Sequence, residues 1–292
     1  MKIKILLKYL LFTVYVNFHL KYFISAHSLF NKKILFYPEI PSIPYIVYKI
    51  CYLLNLSITN NIDDKNIYSA IFWQDRTYKA TCNELERFSK TTKVFNINCT
   101  DISKKKVDEV FYKVFGYSTL IDPTIFRGKC IKKSNFNAMH DGRVIKCPVL
   151  KKDKNYIYQI MINNQCNKSS IMDIRVPILG KYIPFLYLKF RSITRRFSNK
   201  NDYVKIANVY DVFTKKELEK IHIFCNTFGL DYGEIDILKD IKNKKIYITD
   251  VNDTPHGLPN HLLKSDKDVA LVKLSCAFDL MIKKDRLKQE NK

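Results

Sequence analysis

The chain has 292 residues, 47% of them hydrophobic and 13% aromatic. That is enough for one large domain or two lobes with a real core, and it excludes a disordered chain. Lys and Arg total 50 against 28 acids, a net charge of +22. This favours acidic partners such as nucleotides, nucleic acid, anionic lipid or acidic polymer, although a Lys- and Asn-rich composition also gives a solvated basic surface. The eight Cys include no CxxC and no Cys–His cluster with zinc spacing. They read as reduced, mostly buried thiols of a cytoplasmic protein.

In chain order, residues 1–30 form a basic and apolar N-terminal segment. Lys2, Lys4 and Lys8 precede an apolar stretch, Tyr9–Phe18, that His19 and Lys21 interrupt. A spanning helix needs about 20 apolar residues, so residues 1–24 read as an interfacial helix giving peripheral membrane contact, or as an element packed on the domain. A signal peptide ending near Ser25-Ala26 is the alternative.

Residues 31–116 alternate strands with a helix and predict a small α/β lobe. Its strands fall at 32–38, 67–73 and 93–98. Its helix is capped by Asp101 or Ser103 and stopped by Gly116 after Phe115. From residue 117 short strands dominate, at 130–133, 143–147, 156–162, 171–176 and 185–190. Thr214 and Glu217 form a capping box, Leu218, Ile221, Phe224 and Cys225 have helical spacing, and Gly229 suits the helix end. Strands at 232–238 and 245–251 follow, joined by a polar turn through Asn243. There are seven Gly, with no GxxxxGK[ST] and no GxGxxG, which excludes a P-loop or Rossmann phosphate site.

The last strand pair carries the sharpest pattern. Strands alternate faces with period two, so Glu234 and Asp236 share one face, as do Ile248, Asp250 and Asn252 on the second strand. A tight hairpin sets Asp236 opposite Asp250 and Glu234 opposite Asn252. Like charges directly opposed destabilise a sheet, and a hard divalent cation held by oxygen ligands would compensate. A solvated acidic face on an edge hairpin has the same alternation.

These residues resemble the nucleotide site of the ATP-grasp ligases, such as D-alanine–D-alanine ligases and glutathione synthetases. That family places an acid on one strand and, after a short turn, an acid-x-Asn triplet followed by a Pro-containing loop. Asp236 matches the first acid, and Asp250 and Asn252 match the triplet. The likeness covers roughly 117–260, extends more weakly over 31–116, and is nearer to bacterial members of unassigned reaction than to a ligase of known substrate. It implies an α+β ATP-grasp fold over 117–292, two subdomains holding ATP between them, with the small α/β lobe in front. It also implies Mg2+ held by Asp236, Asp250 and Asn252 against the ATP phosphates. Further implied are a phosphate-binding Lys133 (or its neighbour Lys132), a covering loop turning at His140-Asp141-Gly142, and Gln159 beside the adenine. The loop lacks the family's glycines, so Ser134, Asn135 and Asn137 would have to supply its donors.

Arg175, Lys189 and Arg191, on adjacent strands, are candidates for stabilising a phosphoryl group or an anionic or carboxylate substrate. They belong to a stretch, 181–205, that also reads as a basic surface strip. His256 and His261 read as ordinary loop residues. The implied reaction is ATP- and Mg-dependent activation of a carboxylate as an acyl phosphate, then attack by an amine or similar nucleophile. A kinase acting on a hydroxyl and a non-enzymatic binder of acidic polymer or membrane are the alternatives. No motif specific to nucleic acid is present.

Overall fold

The computed structural model describes residues 32–287, apart from His140 and Asn199. The N-terminal segment and the first residue of the His140-Asp141-Gly142 turn therefore lie outside the described residues. Among those described, no helix is long and apolar enough to cross a membrane.

The first lobe is built on a parallel sheet of order β2-β1-β3-β4. Its strands are β1 (Lys33–Pro38), β2 (Ser57–Thr59), β3 (Ile67–Trp73) and β4 (Val94–Phe95), with α1 (Ile46–Leu53) and α2 (Asn83–Phe88) between them. Helix α3 (Lys104–Phe115) starts and stops as its sequence signals. The Ser103 side chain accepts from Lys106 N, and Gly116 ends the helix at φ 82°, a left-handed conformation that glycine adopts freely.

The expected third strand, 93–98, is cut to two residues because Asn96 turns the chain at φ 60°. This side chain is fully buried and joins the lobe to the next sheet. Its Oδ1 accepts from Asp231 N (2.8 Å) and Tyr232 N (2.9 Å), and its Nδ2 donates to Tyr232 O (2.7 Å).

Two antiparallel sheets follow. The smaller has order β6-β5-β7, with β5 (Gly128–Ser134), β6 (Arg143–Cys147) and β7 (Tyr156–Ile160). The larger has order β10-β9-β8-β11-β12. It contains β8 (Ser170–Leu179), β9 (Leu186–Ser192), β10 (Tyr203–Ala207), β11 (Tyr232–Lys239) and β12 (Ile246–Asn252). Helix α4 (Lys215–Phe228) has both halves of the expected capping box and ends on Gly229 at φ 80°. Helix α5 (Lys264–Leu287) closes the described chain.

One core packs Phe111 of α3 and Ile221 and Phe224 of α4 against Ile174, Ile235, Ile237 and Ile248 of the five-stranded sheet. A second packs α1 and α5 around Trp73, Tyr187 and Tyr232. All eight cysteines are free, and five of them are buried.

The hairpin register departs from the expected one at a single point. Asp236 opposes Asp250 and Glu234 opposes Asn252, but Ile237 opposes Ile248, with a bulge between. Thr249 is the extra residue, and its hydroxyl donates to Asp236 O at 3.2 Å. The extra residue shifts alternation by one. Ile248 therefore joins the core with Ile237 and does not share the face of Asp250 and Asn252.

Candidate active site

A cleft of about 820 Å3 lies between the two antiparallel sheets and the first lobe, and it is lined by all eight candidate residues: Lys133, Gln159, Arg175, Lys189, Arg191, Asp236, Asp250 and Asn252. Strand alternation accounts for this. On β5, Ile131 and Lys133 face the cleft, whereas Lys132 faces away, donating to Asp153 (2.9 Å) and lying over the Tyr156 ring (4.2 Å).

The acids are compensated by the protein's own cations. Arg175 sits in register with Asp236 and binds it through Nε–Oδ1 (2.9 Å) and Nη2–Oδ2 (3.0 Å). Lys189 Nζ adds 3.1 and 3.2 Å contacts to the same carboxylate. Burial acts to raise the Asp236 pKa, but Arg175 and Lys189 outweigh it and hold the group far below the usual carboxylate range. Glu234 is pushed up by burial, with Arg175 Nη1 at 3.3 Å partly opposing the shift. Contrary to expectation, the opposition of Asp236 to Asp250 does not by itself call for a bound cation, because Arg175 and Lys189 match the Asp236 charge.

Asp250 differs. Its Oδ1 is buried without a hydrogen-bond partner, and the nearest cation, Lys104 Nζ, stands at 3.6 Å. Asn252 is on the same strand face, its Oδ1 accepting from Thr254 N at 3.1 Å. The approach of β11 to β12 here needs a glycine, because a Cβ on Gly233 would lie 2.5 Å from Asn252 O. Among the described residues no group of three or more His, Cys, Asp and Glu is arranged to hold a metal by itself. Asp250 and Asn252 fit a hard cation whose remaining ligands are phosphate oxygens and water, the usual mode for magnesium. Asp236 fits such a cation only after exchanging its contacts with Arg175 and Lys189.

Lys133 forms no ion pair among the described residues. Burial, followed by the neighbouring Lys104 charge, lowers its pKa to about 8, with Asp250, Asp236 and Asp141 acting in the opposite direction. Gln159 is buried and donates through Nε2 to Thr119 Oγ1 at 2.7 Å. Arg191 lines the cleft, but its guanidinium is held by Asp173, by Ser198 O (3.0 Å) and by Asn201 Oδ1 (3.4 Å), so it anchors the loop after β9. His256 and His261 also line the cleft.

Three further cations, Lys104, Arg196 and Lys200, line the cleft beyond those the sequence singled out. Lys104, the first residue of α3, donates to Phe136 O (3.0 Å) in the loop after β5 and faces Asp250. Its position depends on a meeting of α3, that loop and β12, and three consecutive lysines give no sign of which one turns inward. Arg196 donates to Asn164 Oδ1 (2.6 Å) and Ile162 O (3.3 Å), just beyond β7. Within the 181–205 basic stretch, Lys189, Arg191, Arg196 and Lys200 line the cleft.

The loop after β5 is fastened to the first lobe. Asn135 O and Oδ1 accept from Lys104 N (3.1 Å) and Lys105 N (2.9 Å), Asn135 Nδ2 donates to Tyr78 Oη (2.8 Å), and Asn137 N donates to Thr77 Oγ1 (2.9 Å). Asn135 therefore spends its side chain on α3 and Tyr78.

No family model and no curated protein matches the sequence. Solved structures of ATP-grasp ligases do match the fold. The ligase PsnB complexed with a phosphomimetic variant of its minimal precursor, Mg and ADP aligns with TM-score 0.56 and 11% identity, over 88% of this chain and 100% of that one. D-alanine–D-alanine ligase from Bacillus anthracis aligns with TM-score 0.55 and 12% identity, over 89% and 99%. Its complex with ATP aligns with TM-score 0.51 and 13% identity, over 89% and 99%. The protein has the ATP-grasp fold, an α+β architecture, as the acid and acid-x-Asn pattern implied.

Proposed function

We propose that the protein is an ATP- and Mg-dependent ligase that activates a carboxylate as an acyl phosphate for attack by an amine or similar nucleophile. The observation that carries this reading is the buried Asp250 Oδ1, without a hydrogen-bond partner, set beside Asn252 and facing Lys104, Lys133, Arg175 and Lys189 across one cleft. The fold supports it, since solved examples are ligases complexed with ATP, or with Mg and ADP.

Asp250 and Asn252 would hold magnesium, with Asp236 joining them as its cation contacts loosen. When bound, magnesium supplies charge neutralisation at the phosphate oxygens. Lys133 and Lys104 are positioned for the phosphate chain, and Gln159 lines the wall assigned to the adenine. Arg175 and Lys189 supply fixed positive charge where the γ-phosphoryl group carries its developing negative charge. In the first step a substrate carboxylate oxygen bonds to the γ-phosphorus, and the bond from that phosphorus to the β,γ-bridging oxygen breaks, releasing ADP. In the second the nucleophile bonds to the acyl carbon, inorganic phosphate leaves, and the amine's proton passes to solvent.

Product analysis tests the reaction class. Incubation with ATP, magnesium, pooled carboxylates and pooled amines should yield ADP, phosphate and an amide. A stable phosphoryl ester without free phosphate would contradict the ligase reading.

A further inference from the structure

The cleft face of β5 continues beyond the site. Residues alternate along a strand, so Lys129, Ile131 and Lys133 share that face, spaced over roughly 13 Å at about 3.3 Å per residue. Lys129 lies directly opposite Lys146 of β6, and Ile131 lies opposite Val144. Lys129, Val144 and Lys146 are all exposed. Opposed like charges on neighbouring strands are unfavourable. In the other like-charge pair of this sheet, Lys132 opposite Arg143, the lysine is answered by Asp153. Among the described residues neither Lys129 nor Lys146 forms an ion pair.

We infer that this strip is the docking surface for an acidic polypeptide, a run of Asp or Glu side chains lying along β5 and β6. The inference rests on the ligase reading for one point: such a chain would bring carboxylates, the group to be activated, to the cleft at Lys133. Charge complementarity selects the occupant. The strip offers two unanswered ammonium groups beside the exposed aliphatic side chain of Val144, with the buried Ile131 opposite it. Tyr156 and Tyr158 pair with Ser134 and Lys132 on the opposite face of β5, so neither offers a base a stacking surface beside Lys129 and Lys146; the aromatic ring on this side, Phe197, packs against Gly142 at the cleft end of the strip. β6 is also an edge strand, where a lysine discourages pairing with another strand. That role explains Lys146 but leaves the opposing Lys129 unexplained.

The test uses the full chain and a fluorescein-labelled oligo-glutamate of about 12 residues, read by anisotropy. Binding should weaken about tenfold between low salt and about 0.25 M salt, as screening of exposed charge requires. The double variant Lys129→Glu, Lys146→Glu should bind at least tenfold more weakly. The single variant Lys129→Glu should also lose affinity while melting at the same temperature or higher, because it replaces a cross-strand repulsion with an attraction. That separates loss of the surface from loss of the fold. Undiminished binding by the double variant, equal binding of oligo-glutamine, or tighter binding of a single-stranded RNA of equal charge would each overturn the inference. The thermal shift with ATP and magnesium reports separately on the cleft. Lysine-dependent peptide binding without that shift would support the surface and remove the nucleotide reading.

Discussion

Asp236 of β11 and Arg175 of β8 stand in register and share two hydrogen bonds, Nε–Oδ1 at 2.9 Å and Nη2–Oδ2 at 3.0 Å. Both are partly buried, and the same guanidinium reaches Glu234 at 3.3 Å. Removing one partner of such a pair strands the others in a desolvated site. Arg175→Met should therefore lower stability by about 3 kcal/mol in urea unfolding at pH 7, because Lys189 alone is left for two carboxylates. The Asp236 pKa is depressed in the folded protein, so its contribution to stability is present above the unfolded value near pH 4 and is lost only as pH falls through the lower folded value. Stability measured between pH 5 and 8 should show no step from this group.

Lys133 titrates in the opposite sense to a paired lysine. Its folded pKa is about 8, below the ordinary 10.5. Between those values the unfolded chain holds a proton that the folded one has released, so stability should rise with pH across that window. Lys133→Met should abolish the rise. An anionic ligand beside the ammonium would favour its charged form, so nucleotide binding at pH 8.5 should take up protons. Calorimetry in two buffers of different ionisation enthalpy measures this directly.

Asn96 should behave as a structural joint. Its buried amide satisfies two backbone N–H groups and one C=O at the start of β11. Asn96→Ala leaves all three without partners in a buried setting, where each such loss costs on the order of 1–3 kcal/mol. A total loss of at least about 3 kcal/mol is expected in chemical denaturation.

Much of the site was legible because its signal is periodic. The acids on β11 and β12 alternate with isoleucine and valine over two short runs, and a two-residue period places their faces without further information. The capping box and the helix-ending glycines are equally local. The bulge at Thr249 was not legible, because an extra strand residue is fixed by what packs on both sides. Lys104 became a cleft residue only once α3 met β12. The compensation of Asp236 by Arg175 and Lys189 required the order β9-β8-β11, which no run of residues states. Helix α5 did carry a readable stripe in Ala270, Leu274, Ala277, Phe278 and Met281, all buried. Residues 57–59 and 203–207 are too short and polar to announce strands.

The most direct test of the account is the affinity of Asp250→Asn for ATP with and without magnesium. Asp250 carries the buried oxygen, free of hydrogen bonds, on which the metal assignment stands. The substitution preserves shape and removes the charge. Apo stability should change by less than about 1 kcal/mol, because Lys104 at 3.6 Å loses a loose partner while the repulsion from Asp236 is also relieved. Magnesium-dependent ATP affinity should fall at least tenfold and turnover should be lost, while the weak binding of ATP without magnesium stays level. Unchanged magnesium-dependent affinity in this variant would contradict the metal site, and with it the proposal that the cleft works on ATP.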